Sequence, residues 1–171
     1  MADTKKKMIA SAALLIRERG VEATSFNDVL AHSGAPRGSI YHHFPGGKTQ
    51  LVEEATRHAA RWTGRGLTAA LEAGDVATAL DLFVAGWRDT LESTDFAAGC
   101  PVVAVTVEGA AREQAAAAFA HWEDLLAEAL GSRSKATLVV AAVEGAVIIC
   151  RAQRSVAPLE RVGAELRALV A

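Results

Sequence analysis

Between Lys5 and Arg19 the apolar residues Met8, Ile9, Ala12, Leu15 and Ile16 recur at helical spacing, with charged residues filling the positions between them. That pattern predicts an amphipathic helix, and Gly20 comes next, where a helix C-cap favours glycine. The next apolar run, Val29 and Leu30, is preceded by Thr24 and Ser25, either of which can cap a helix through its hydroxyl. Asp28, three residues after Ser25, falls where a helix N-terminus favours negative charge. Ser33-Gly34-Ala35 ends this short helix. Pro36, with its fixed φ and missing N–H, suits the first turn of a third helix running to about Phe44. Two short helices joined by a three-residue turn containing glycine form a helix-turn-helix.

Beyond Pro45-Gly46-Gly47 the periodicity predicts long helices over about 48–71, 75–91, 111–130, 136–153 and 159–170. Residues 99–109 are rich in β-branched side chains, but a lone strand would have no partner, so Pro101 is read as starting a short buried helix. Gly131-Ser132-Arg133-Ser134 is either a tight turn or the place where a longer loop is missing. The expectation is an all-α chain: a three-helix N-terminal helix-turn-helix domain over 1–47, then a domain of about six helices over 48–171.

Composition agrees, since hydrophobic residues make up 51% of the 171 residues and aromatics only 5%. Alanine and leucine dominate and are strong helix formers. The net charge of −2 conceals an asymmetry: residues 1–48 carry +3 and the remainder −5. A basic head on an acidic body suits nucleic-acid binding. Cys100 and Cys150 lie in apolar surroundings without metal-ligand spacing, so neither a metal nor another cofactor is expected. Nor is an enzyme: no Ser/His/Asp arrangement, phosphate-cradling glycine loop or metal cluster is visible. There is no signal-peptide pattern. The longest apolar run, Ala136 to Cys150, reads as too short to span a membrane and contains Glu144. A cytoplasmic protein without a membrane partner is the expectation.

The second helix of a helix-turn-helix enters the major groove of double-stranded DNA, and its N-terminal end meets base edges and phosphates. Here that end presents Arg37, Gly38 and Ser39, and then Tyr41 and His42. Arg37 can read a guanine bidentately or clamp a phosphate. Gly38 allows close backbone approach, Ser39 is a small donor, and Tyr41 and His42 carry polar tips on rigid rings. Successive helical positions point about 100° apart, so one of His42 and His43 faces DNA, and His42 is the choice. Lys48 joins an ammonium to the positive end of the next helix. Lys5 to Lys7 form either a solvated tail or a basic arm.

The stretch from Gly20 through ThrSerPheAsnAspValLeuAlaHisSerGly and GlySerIleTyrHisHisPhe to Lys48 resembles the DNA-binding domain of the TetR family of repressors. HisHisPheProGlyGlyLys and the later GlyCysProVal are similar to its LmrA/YxaF-like subgroup. The resemblance implies homodimers of about nine helices that leave DNA when a ligand enters the C-terminal domain. It also places Arg37, Gly38, Ser39, Tyr41, His42 and Lys48 at DNA-contacting positions, with Thr24 or Ser25 on the backbone. Pro45-Gly46-Gly47 is one residue longer than the joint in many relatives.

In the remaining chain, large rings among alanines can line a cavity between helices. Trp62, Phe83, Trp87, Phe96, Phe119 and Trp122 are the candidates, with Thr106, Arg88, Glu108 and His121 as polar groups to orient a small hydrophobic ligand. Leu138, Ala142, Gly145 and Ile149 belong to a helix apolar all round, and Leu166 to a second stripe. These are the candidate seam of a homodimer. The alternative reading is a ligand-independent DNA-binding architectural or scaffold protein.

Overall fold

In a computed structural model, which describes residues 2–170, the chain folds into nine helices, with no strand among the described residues. They are α1 (Ala2–Arg19), α2 (Phe26–Ser33), α3 (Ser39–His43), α4 (Gly47–Ala73), α5 (Val76–Ser93), α6 (Pro101–Val107), α7 (Arg112–Leu130), α8 (Arg133–Gln153) and α9 (Ala157–Val170).

Local chemistry sets most boundaries. Ser25 caps α2 in a capping box with Asp28, and Gly34 ends the helix in the left-handed region at φ 67°. The β-branched run does form a helix, with Pro101 in its first turn. The 131–134 joint is a tight turn: Gly131 adopts φ 63°, and the Ser132 side chain accepts a hydrogen bond from the Lys135 amide. The third helix departs from expectation. The Ser39 amide donates to the Pro36 carbonyl at 3.0 Å, so Pro36 opens a turn and α3 begins only at Ser39.

Asp75 caps α5 by accepting from the Thr78 amide at 2.8 Å. That backbone hydrogen bond, then the Thr78 side chain, holds its carboxyl below the usual aspartate range. A depressed carboxylate stabilises the fold above its unfolded pKa and stops doing so as pH falls through its folded value. Asp75→Ala is expected to lower Tm at pH 7 by about 2–4 °C. The gap from wild type should narrow as pH falls through the carboxylate range, and thermal melts across pH check it.

The chain divides into two compact units. The first takes the residues up to Arg61 together with Cys100–Ala118, reaching past residue 47 and drawing in α6, which packs against α1. Its core holds Met8, Ile16, Val29, Ile40 and Phe44, joined by Val102 and Val105 of α6. Phe44→Ala would leave a cavity in this core and cost about 3–5 kcal/mol, measurable by denaturant unfolding.

The second unit comprises Trp62–Gly99 and the chain from Phe119 onward. Here α8 packs on α9 and α5, burying Leu91, Val147, Cys150 and Leu159. Burial pushes the Cys150 thiol pKa up, which keeps it unreactive. α8 is longer than the apolar run suggested. It is a 21-residue helix holding an 18-residue window of mean hydropathy 1.6, so by length and composition alone it is long and apolar enough to cross a membrane, which corrects the expectation that the stretch is too short.

Candidate nucleic-acid interface and effector cavity

Ile40 and Phe44 are buried and hold α3 to the first unit, which leaves Tyr41 and His42 turned outward. Tyr41 is 70% exposed, and its ring meets Phe26 of α2 edge-on at 5.7 Å between centroids. That contact fixes the aromatic body while the hydroxyl end remains in solvent. His42 is exposed, whereas His43 is half-buried. Arg37 and Gly38 are exposed in the turn ahead of α3. Ser39 is half-buried, and its hydroxyl donates to the Pro36 carbonyl at 2.6 Å, bracing that turn.

The two hydroxyl candidates separate. Thr24 is 4% exposed and donates to the Gly20 carbonyl at 2.7 Å, so its hydroxyl is already committed inside the fold. Ser25 is exposed at the start of α2, and its hydroxyl donates to Asp28 at 2.5 Å. The Ser25 hydroxyl and amide, then Arg19, hold the Asp28 carboxyl below its usual range. Lys48 is exposed in the first turn of α4, its ammonium 3.4 Å from the Glu22 carbonyl. That contact is at the long limit of a hydrogen bond and easily exchanged for a phosphate. Of the N-terminal lysines, Lys5 pairs with Glu54 at 2.9 Å and lies 5.3 Å from the Phe44 ring centroid, so it is part of the packing. Lys7 pairs with Asp3. Asn27 and Thr49 are also exposed in the first turns of α2 and α4.

The second unit contains a small, partly open cavity of about 40 Å³. Among the expected ligand residues, Phe83 and Trp122 line it. Most of the wall is aliphatic, from Leu67, Val76, Leu80, Leu126, Val139 and Val143 among others, with Thr63 and Glu144 as the polar residues. The other candidates lie elsewhere. Trp62 is 66% exposed. Trp87 is half-buried off the wall, and Phe119 packs edge-on against Trp122 at 5.5 Å. Phe96 sits at φ 60°, 5.9 Å from the Arg154 guanidinium. Thr106 belongs to the first unit and donates back to the Val102 carbonyl. Of the polar candidates, Arg88 and His121 are exposed, and Glu108 accepts from the Val21 and Glu22 amides in the first unit. Small aliphatic residues from several helices make most of the wall, and two of the six large rings reach it.

α8 has two apolar faces. Val139, Val143, Ala146 and Val147 are buried, while Leu138 and Ile149 are 50% and 45% exposed. Ala142 and Gly145 are half-buried, and a Cβ at Gly145 would meet nothing within 4 Å. Ile148, not singled out from sequence, extends this exposed face, and Leu169 on α9 is another exposed apolar side chain. Leu166 is 4% exposed and packs inside, because its helical phase turns it inward.

Two family profiles match the chain. One described as bacterial regulatory proteins, tetR family, covers residues 8–55. The other, described as transcriptional regulator LmrA/YxaF-like, C-terminal domain, covers residues 76–165. The chain is 41% identical to an HTH-type transcriptional regulator of Mycobacterium tuberculosis, over 99% of this chain and 95% of that one. It is 29% identical to the HTH-type transcriptional regulator LmrA of Bacillus subtilis, over 92% of this chain and 91% of that one. A crystal structure of a TetR-family regulator from Agrobacterium tumefaciens superposes with a TM-score of 0.85 at 19% identity, covering 99% of this chain and 98% of the other. The helix-turn-helix and the helices after it are thus matched along nearly the whole length, and the chain belongs to the TetR family of transcriptional regulators.

Proposed function

We propose that the protein is a cytoplasmic repressor that binds a palindromic operator as a homodimer and is released by a small hydrophobic effector. The apolar cavity of the second unit carries the effector part of this reading. Its aliphatic wall with Phe83 and Trp122 suits an apolar occupant, and at about 40 Å³ the space must widen to admit one. Arg37, Gly38, Tyr41, His42 and Lys48, with Ser25 at the start of α2, are the proposed DNA contacts, and Ser39 shapes the turn that carries Arg37. Leu138, Ala142, Gly145, Ile148 and Ile149 are the proposed dimer seam.

Release requires only that the effector bind a DNA-incompetent arrangement better than the competent one, since an equal affinity for both shifts nothing. A compound library screened by thermal stabilisation, and then by operator release, tests the reading. Val140 lines the cavity and is half-buried, so Val140→Phe should fill space without unfolding the unit. The variant is expected to need at least about tenfold more of any active compound for release, while binding the operator within threefold of wild type. An active compound equally potent on the variant would place its site elsewhere. If no compound stabilises the protein or releases it from DNA, the ligand-independent reading stands instead.

A further inference from the structure

Glu108, at the end of α6, reaches the turn that joins α1 to α2. One carboxylate oxygen accepts from the Val21 amide and the other from the Glu22 amide, each at 2.9 Å. Two successive backbone N–H groups converging on one anion form a nest. Gly20 makes the nest possible in two ways. Its φ of 86° is left-handed, and a Cβ there would overlap Glu108 Oε1 and lie 3.1 Å from Cδ. Any side chain at position 20 would therefore both strain the backbone and evict the carboxylate.

The held turn also sets the start of α2. Its Gly20 and Val21 carbonyls accept from the Thr24 hydroxyl and amide, at 2.7 and 3.2 Å. Its Glu22 carbonyl faces the Lys48 ammonium at 3.4 Å, and Ser25 next in the chain caps α2. On the far side of Glu108, Gly109 and Ala111 both adopt positive φ, at 70° and 44°. Alanine is costly there, so the end of α6 is held beside a strained turn. Glu108 itself is exposed. Water can therefore compete for the amides, and the grip can open without unfolding the core.

We propose that Glu108 is a positioning residue for operator binding: its carboxylate fixes the turn from which α2 starts, so an α6 that loosens this grip lowers DNA affinity. The proposal rests on the operator-binding reading above and adds the residue through which α6 acts on the helix-turn-helix.

The test uses the full chain and a duplex selected by wild type from a random library. Operator affinity is measured for Glu108→Ala, Gly20→Ala and the double variant, with Tm and salt dependence alongside. Glu108→Ala is expected to weaken binding about tenfold. The salt slope should stay that of wild type, because no phosphate contact is removed, and Tm should fall by only a few degrees. The double variant should lose less than the product of the single losses, because both changes break one contact. Wild-type affinity in folded Glu108→Ala would overturn the proposal, as would a double variant whose loss equals the product. A wild-type chain that selects no duplex would instead sink the operator reading itself, a result distinguishable from tight wild-type binding matched by Glu108→Ala.

Discussion

Leu138→Glu combined with Ile149→Glu is expected to convert the proposed dimer to a monomer and weaken operator binding by more than about 100-fold. Both side chains are about half exposed in the single chain, so the fold itself tolerates a charge at either position. In a seam between two copies of α8, however, the added carboxylates would face an apolar surface without a partner, which costs several kcal/mol in association. A three-helix head reads few bases, and much of the operator affinity comes from joining two heads so that the second contact is intramolecular. Light scattering gives the mass and fluorescence anisotropy gives the affinity. A variant that stays dimeric would move the seam off this face of α8.

The second large effect is expected at Arg37. Its exposed position just ahead of α3 makes Arg37→Ala neutral for stability, while the loss of a bidentate base contact should weaken operator binding by about 10- to 100-fold. Arg37→Lys separates base reading from charge. A lysine keeps the cation but not the planar fork, so it should recover phosphate attraction and leave discrimination at one base pair relaxed. If Arg37→Lys restored full selectivity, Arg37 would be gripping a phosphate rather than reading a base.

The helices were legible where local chemistry decides them. Ser25 with Asp28, Asp75, Pro101 and the glycines at 20 and 34 mark ends by caps and left-handed turns that depend on a few neighbouring residues. The start of α3 was misplaced because Pro36 serves a turn as readily as a helix, and only the Ser39 amide's choice of partner decides which. Helical phase indicated only that one of His42 and His43 would face outward, and the exposed one is His42.

Features that depend on contacts distant in sequence were not legible. Thr24 and Ser25 are adjacent hydroxyls with equal credentials on paper, yet one is buried against Gly20 and the other exposed. The cavity wall gathers Leu67, Leu80, Leu126 and Val139 from four helices, a set that no single stretch of periodicity reveals. Leu166 belongs to a stripe that reads as a seam, but α9 buries Leu159 and Leu166 of that stripe within its own unit. Nothing local in the sequence links Glu108 to residues 87 and 86 positions away in the chain.

In the proposed repressor, two copies of this chain read DNA in sequence through the exposed end of α3. Selection of duplexes from a random library, run side by side with wild type and Arg37→Ala, tests it most directly. Wild type should enrich a palindrome whose half-sites are centred about 10 base pairs apart or a multiple of that, and Arg37→Ala should lose preference at one symmetric pair of positions. Enrichment of no motif by wild type, or of the same motif with the same stringency by Arg37→Ala, would contradict it.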